Sequence, residues 1–373
     1  MHTLIATTAF GLEKVVKFEL ADLGFEIQKV SNGKVEFSAK LSDIPKANIW
    51  LRSADRVLLK MGEFEARTFD ELFDQTKEIP WEKMIPKDGQ FTVLGGSVNS
   101  ELGSIRACQS IVKKSVSKRL CEAYKTDWLE ESGAEYTIKV SMLKDVATLT
   151  IDTSGTALHK RGYRAQATDA PMKETLAAAL VQLSFWNKDR LLLDPFCGSG
   201  TILIEAAMIA KNIAPGLKRH FASQDWDSVP KESWEKARTE AKAAIDTNSE
   251  FTIYGYDRHP KSIEVSKQNA KRAGVAEHIQ FENKEFKELW FDQESGIIIS
   301  NPPYGQRLAE FQELNQLYIS IHQAFKKKKK WSLFILTGDR KFPDYFKRAK
   351  PDRVRKLYNG TIEVNYYQYF GER

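Results

Sequence analysis

Cysteine is scarce in this chain. Three residues, Cys108, Cys121 and Cys197, stand among 373. Their spacing fits no metal pattern and no disulfide scaffold, so neither a structural metal nor a cross-linked secreted fold is expected. A reducing cytoplasm suits them best. No apolar stretch approaches the length of a membrane span. The opening residues, Met1-His2-Thr3-Leu4-Ile5-Ala6, lack the basic-then-apolar order of a secretory signal. Two phosphate-cradling motifs are missing as well. There is no Gly-x-Gly-x-x-Gly run, and no glycine loop closes on Lys-Ser/Thr.

What is present supports packed cores. Hydrophobic residues make up 42% of the chain, and its length suits two or three domains. The formal charge of +6 is unevenly placed: residues 1–168 hold 24 basic and 23 acidic side chains, residues 169–373 hold 32 and 27. That balance permits a polyanionic partner without demanding one. Any nucleic-acid surface in the first part must be a local patch.

Residues 1–60 read as a small α+β unit. Leu4–Ala9 is a strand and Leu12–Leu23 a helix stopping at Gly24. Glu26–Val30 and Val35–Ala39 form a hairpin about Asn32-Gly33, and Ile44–Leu59 looks helical. Residues 61–165 read as a second α+β unit. Phe91–Leu94 is a strand. Ser104–Tyr124 is a helix with Ile105, Cys108, Val112, Val116 and Leu120 on one face. Arg106, Lys113, Lys114 and Lys118 lie mostly away from that face, as a solvated surface or a phosphate-tracking patch. Tyr136–Leu143 and Val146–Asp152 form a hairpin about Lys144-Asp145. His159-Lys160-Arg161-Gly162-Tyr163-Arg164 reads either as a linker or as a clamp near cofactor or nucleic acid.

From about residue 170 to 373 the pattern is that of a doubly wound α/β domain. Apolar runs at 191–193, 252–256, 279–281, 296–300 and 331–337 alternate with mostly helical stretches. A last, aromatic-rich strand lies near Thr361–Phe370. The run Lys326–Lys330 closes a helix, where lysine is electrostatically favoured; nucleic-acid contact is its other reading.

The first of these strands ends in Asp194-Pro195-Phe196-Cys197-Gly198-Ser199-Gly200-Thr201. Its glycines allow a tight turn and close approach of backbone to a ligand. Asp194 adds negative charge where a pyrophosphate would be unwelcome but an amino group would not. That favours S-adenosylmethionine over NAD or ATP. Asp257 ends the next strand, where a carboxylate can accept both hydrogens of a ribose diol. The interval to it is long, so residues 214–248 form an insertion, helical over Lys231–Ala244, that covers the sheet edge or shapes the substrate mouth. Asn283, Glu285 and Phe286 follow the third strand. Glu285 is the preferred partner of an adenine amino group. Cys197 has no histidine nearby in sequence and reads as a small turn residue.

The strand Gly296–Ile299 runs into Ser300-Asn301-Pro302-Pro303-Tyr304-Gly305. Asn301 offers a side-chain oxygen and Pro302 a carbonyl, two acceptors for the two hydrogens of an exocyclic amine. Tyr304 can stack on a flat base. An aromatic amine is a poor nucleophile because its lone pair is delocalised. Holding both hydrogens favours a pyramidal nitrogen that can attack an activated methyl in line. No metal and no covalent enzyme intermediate are required.

The Asp194–Thr201 turn, Asp257 and Asn301-Pro302-Pro303-Tyr304 closely resemble those of class I S-adenosylmethionine-dependent amino-methyltransferases. His159–Arg164, Pro171–Ala179 and the Ala214-Pro215-Gly216 insert sharpen the likeness. They resemble the bacterial large-subunit rRNA guanine-N2 methyltransferase group, often labelled N6-adenine-specific DNA methylases. The resemblance spans essentially the whole chain. It implies a Rossmann-like methyltransferase domain over 166–373, behind an N-terminal α+β region. That region would comprise a ferredoxin-like piece over 1–60 and a THUMP RNA-binding region over 61–165. It places the methyl donor at Asp194, Phe196, Gly198, Gly200, Thr201, Asp257 and Asn301, with the target amine at Asn301, Pro302 and Tyr304. Relatives commonly carry Asp where this chain has Glu285. One catalytic domain, without the second of fused relatives, is expected.

The resulting expectation is methylation of guanine N2 in RNA, with 23S rRNA or a large-subunit precursor as partner. The motif itself identifies an exocyclic amine and not guanine, so adenine N6 in DNA or RNA is the rival enzymatic reading. A noncatalytic RNA-binding scaffold is the rival outside catalysis. It would not need Asn301 together with a complete donor pocket.

Overall fold

The computed structural model describes residues 1–164, 172–289, 292–303, 308–346 and 350–372, with backbone alone for 308–313. The chain divides into two compact units. One comprises Met1–Thr7, Lys17–Leu158 and Arg219–Glu240; the other comprises Thr8–Val16, His159–Lys218 and Ala241–Arg373.

The first unit is built on β1 (His2–Thr7), β2 (Glu26–Ser31), β3 (Lys34–Ala39), β4 (Arg56–Glu65), β5 (Gln90–Val98), β6 (Glu135–Leu143) and β7 (Val146–Asp152). They form one sheet in the order β2-β3-β1-β4-β7-β6-β5. Its helices are α1 (Glu13–Asp22), of which Lys17–Asp22 belongs here, α2 (Ile44–Trp50), α3 (Phe69–Glu78) and α4 (Ile105–Tyr124). Thr68 starts α3 through a reciprocal cap with Glu71, and Ser104 caps α4. The β6–β7 hairpin turns at Lys144 and Asp145, whose φ values of 51° and 63° are those of a type I′ turn.

Three local readings are corrected here. Ile44–Leu59 is not one helix: α2 stops at Trp50 and β4 begins at Arg56. The Val57, Leu58 and Leu59 run pairs with β1, so tertiary pairing overrides the helical reading. Residue 60 therefore falls inside β4, which bonds to β1 on one side and β7 on the other. Ile105 is exposed, whereas Cys108, Val112, Val116 and Leu120 are buried. The insertion also lands elsewhere than expected, since Arg219–Glu240 is part of the first unit. There Trp226 stacks on Tyr136 at 4.7 Å, and its indole N–H donates to the Glu135 carbonyl at 3.0 Å.

The second unit carries α5 (Glu174–Leu183), β8 (Leu192–Asp194), α6 (Thr201–Ala210), α7 (Lys231–Ala243, shared with the first unit), β9 (Ile253–Asp257), α8 (Pro260–Ala273) and β10 (Ile279–Asn283). After them come β11 (Gly296–Ser300), α9 (Leu308–Phe325), β12 (Trp331–Thr337), α10 (Phe342–Tyr345), β13 (Arg353–Asn359) and β14 (Ile362–Tyr369). The sheet order is β10-β9-β8-β11-β12-β14-β13. The first five strands of that order are parallel, and β14 and β13 are antiparallel additions. Successive residues of a strand feed opposite faces. Ile297 and Ile299 join a core with Leu180 of α5 and Leu203 of α6. Ile298 joins a second core with Tyr318, Ile321 and Phe325 of α9. Burial on both faces explains why these strands read as unbroken apolar runs. The shared direction brings Asp194, Asp257, Asn283 and Ser300 to one end of the sheet.

Candidate functional site

Strand β8 delivers Asp194 to the sheet end, where the chain turns into α6. Gly198 and Gly200 hold φ values of +52° and +79°, the left-handed region that side chains resist. They differ in surroundings. A Cβ on Gly198 would meet nothing within 4 Å, so the backbone there faces open space. One on Gly200 would come within 3.0 Å of Phe281 and Ser266. The turn is thus closely packed beneath Gly200 and open above Gly198.

Asp257 fixes this turn from the neighbouring strand. Its two carboxylate oxygens accept the Gly198 N–H at 3.0 Å and the His259 N–H at 2.8 Å. Each oxygen retains acceptor capacity for a further donor. The Cys197 N–H reaches the Tyr256 carbonyl at 2.9 Å, a second tie between β9 and the turn.

Asp194 is 1% exposed. It accepts the Ser300 hydroxyl and, at 3.1 Å, the Phe196 N–H on one oxygen. Burial pushes its carboxyl up to about 7, against the pull of those two donors, and the nearby Asp257 charge adds to the push. Asp194 therefore joins the glycine turn to the last residue of β11. Burial likewise pushes the Cys197 thiol up, which keeps it inert at neutral pH.

Beyond Ser300, Asn301 lies half-buried and Pro302 buried. The Asn301 Oδ1 is a buried acceptor with no hydrogen-bond partner among the described residues. Buried acceptors are nearly always satisfied, so an orphan at a strand end points to a group supplied from outside. Tyr304 lies outside the described residues.

The end of the third strand and the loop after it divide their residues between a structural tie, a rim position and an apolar wall. Asn283 spends its amide on the Asp257 carbonyl at 2.8 Å. Glu285 is exposed and pairs with Lys287 at 2.7 Å, which holds its carboxyl below the ordinary range. Phe286 is buried and stacks on Phe196 of the glycine turn, with ring centroids 5.6 Å apart. The apolar ring pair thus belongs to the donor turn, while Glu285 stands at its rim.

The His159–Arg164 element is no slack linker. Arg161 lies 3.5 Å from Glu205 of α6, both fully buried, and the Tyr163 hydroxyl donates to Glu205 at 3.0 Å. Arg164 pairs with Glu174 of α5 at 3.3 Å and donates to the Thr201 hydroxyl at 3.2 Å. Two arginines and a tyrosine clip together the two helices flanking the turn. The sequence carried a signal for this: Glu205 is the sole charge in the apolar stretch Thr201–Ala210. Ser300 was missed because a serine at a strand end looks like any strand-ending residue.

Taken together, a parallel sheet with a glycine turn after its central strand, an acid on the next and Asn-Pro-Pro on its other neighbour defines a class I methyltransferase fold. Models of known families match the same regions. An RlmL ferredoxin-like domain matches residues 3–58, a THUMP domain 66–152, and an RMKL-like methyltransferase domain 161–368. The chain belongs to this RMKL-like methyltransferase family. A Bacillus subtilis (strain 168) relative named "Putative RNA methyltransferase YpsC" is 47% identical over 373 residues, covering all of this chain and 96% of its own. The "Ribosomal RNA large subunit methyltransferase K/L" of Psychromonas ingrahamii is 34% identical over 372 residues, 97% of this chain. This chain spans about half the length of that relative (49%). A solved structure, "SMU.472, a putative methyltransferase complexed with SAH", superposes with a TM-score of 0.94 at 42% identity, over 100% of this chain and 98% of that one.

Proposed function

We propose that this protein methylates the exocyclic N2 amine of a guanine in RNA, with 23S rRNA or a large-subunit precursor as substrate and S-adenosylmethionine as donor. RNA as the substrate class is supported by the THUMP match and by the names of the YpsC and K/L relatives. The donor is supported by SAH, its demethylated form, in the SMU.472 relative. The residues present suit that donor. The turn backbone is open at Gly198, and Asp257 keeps acceptor capacity for a diol. Phe196 and Phe286 offer an apolar wall, and Asp194 and Thr201 lie at the base of the turn. Glu285 serves the adenine end from the rim. When bound, S-adenosylmethionine supplies a methyl group activated by its sulfonium.

The chain's own part is to present the amine. The orphan Asn301 Oδ1 carries the reading. Together with the Pro302 carbonyl it accepts the two amine hydrogens, localises the nitrogen lone pair and stabilises the charge that develops there. Tyr304 stacks on the base and fixes its plane. A base inside a helix must leave its stack to reach this corner, so a loop nucleotide is the less costly target.

Two measurements test the reading. Nucleosides from matched deletion and restored cells are mapped by mass; N2-methylguanosine vanishes from one rRNA site in the deletion strain and returns on restoration. Loss of N6-methyladenosine in its place overturns the choice of base. Asn301→Ala lowers methyl transfer by about a hundredfold or more while donor affinity changes little. Turnover equal to that of the unsubstituted enzyme removes Asn301 from the mechanism.

A further inference from the structure

At the sheet end remote from Asp194 and Asn301, a groove of about 860 Å³ opens between the starts of several strands. Its walls include Phe185, Phe370, Arg190, Arg353 and Lys330. Phe185 is 63% exposed and Phe370 37%. Phe185 also holds a φ of +56° just past the end of α5, a position that glycine normally takes. A bulky ring is thus held in a strained backbone and turned toward water, where it satisfies no core. The two rings stand 6.4 Å apart at 36°. A flat ring stacked between two others needs roughly 7 Å, twice the ordinary carbon contact. A small opening of the pair admits one.

The charges beside the rings are mixed, with cations in excess: Arg190, Arg353 and Lys330 stand against Glu372, and the Asp352 carboxylate accepts the Phe370 N–H at 2.7 Å. Lys330 is paired with Glu294, and the lining carboxylate Glu372 with Lys329. Arg190 and Arg353 have no carboxylate partner among the described residues. Arg190 reaches only the Ser332 hydroxyl at 3.4 Å, and Arg353 lies over the Phe370 ring at 5.8 Å. The lysine run 326–330 leads directly into the groove.

We propose that this groove holds an unpaired nucleotide of the RNA strand, its base against Phe185 and Phe370 and its phosphate on Arg190 and Arg353. Guanidinium groups match phosphate oxygens, and aromatic rings take any base without reading sequence. The inference rests on the RNA reading of the catalytic site and adds a holding point at the opposite end of the same sheet.

The test uses the full chain and a uridylate hexamer carrying 4-thiouridine. Photo-crosslinking is expected to mark the peptides of Phe185 or Phe370. Phe185→Gly and Arg353→Ala each weaken hexamer binding about tenfold. Phe185→Gly melts no lower than the unsubstituted protein, because glycine relieves the left-handed strain, so its weaker binding is not a folding defect. Uridine monophosphate binds far more weakly than the hexamer. Crosslinks confined to other peptides, unchanged affinity in both variants, or monophosphate binding as tight as the hexamer's would each overturn the proposal. A chain that methylates rRNA but shows no Phe185 dependence loses the groove alone. A chain that crosslinks at Phe185 yet methylates no RNA keeps the groove and loses the proposed reaction.

Discussion

The buried carboxyl of Asp194 makes stability depend on pH in a direction opposite to that of an ordinary ion-paired aspartate. Its ordinary value of 3.8 rises to about 7 in the fold. Between those values the folded protein keeps the proton and the unfolded chain has lost it. Folding is therefore favoured at low pH. The contribution is complete below pH 3.8 and disappears as pH climbs through 7. About three units at roughly 1.4 kcal/mol each give about 4 kcal/mol. The group is fully buried, so solvent screening does little to reduce this figure.

Asp194→Asn keeps the acceptor oxygen for Ser300 and Phe196 but cannot ionise. Relative to this variant, the unsubstituted protein loses about 4 kcal/mol between pH 4 and pH 8. Urea-induced loss of amide protection in β11 and β12 reports on the second unit alone and reads this difference. Ser300→Ala removes a donor that favours the charged carboxylate, so it moves the midpoint further up. A carbon-13 carboxyl titration placing Asp194 near 4 would refute the reasoning. So would an Asn variant with the same pH slope as the parent.

Three other outcomes follow from the geometry. Gly200→Ala combines a left-handed backbone with contacts at 3.0 Å to Phe281 and Ser266, and costs the second unit about 2–4 kcal/mol in a denaturant series. Asp257→Ala removes the acceptor of two backbone N–H groups and weakens donor binding about tenfold or more by calorimetry; unchanged affinity rejects the ribose contact. Trp226→Ala empties a buried ring site against Tyr136 and destabilises the first unit by about 3–5 kcal/mol, read as lowered amide protection in β6 and β7.

Elements whose period is set by full burial were readable. The runs at Leu191–Leu193 and Gly296–Ile299 are apolar because both faces of their strands are covered, and no helix of that length explains them. The glycine turn was readable because glycine is the residue best suited to a left-handed backbone, and two stand with a single residue between them, at Gly198 and Gly200. By contrast, Arg353–Asn359 was overlooked as a strand. It is the sheet's last strand, and its Arg353, Arg355 and Lys356 give it no apolar rhythm. Glu285 was preferred over Asn283 from position alone. Exposure and a lysine partner are properties of the folded loop, and nothing in the string of letters reports them. Arg219–Glu240 was misassigned for a related reason: a helix pattern reveals its apolar face but not the surface that face will meet.

That excursion has a practical consequence. The backbone passes between the two units five times, at Thr7–Thr8, Val16–Lys17, Leu158–His159, Lys218–Arg219 and Glu240–Ala241. No single cut yields either unit whole. A fragment ending near residue 165 would leave Tyr136 without its indole cover, and one starting there would drag a foreign limb of 22 residues with nothing to fold against. Chimeras that exchange the THUMP-matching part between relatives must therefore graft the 219–240 limb along with it.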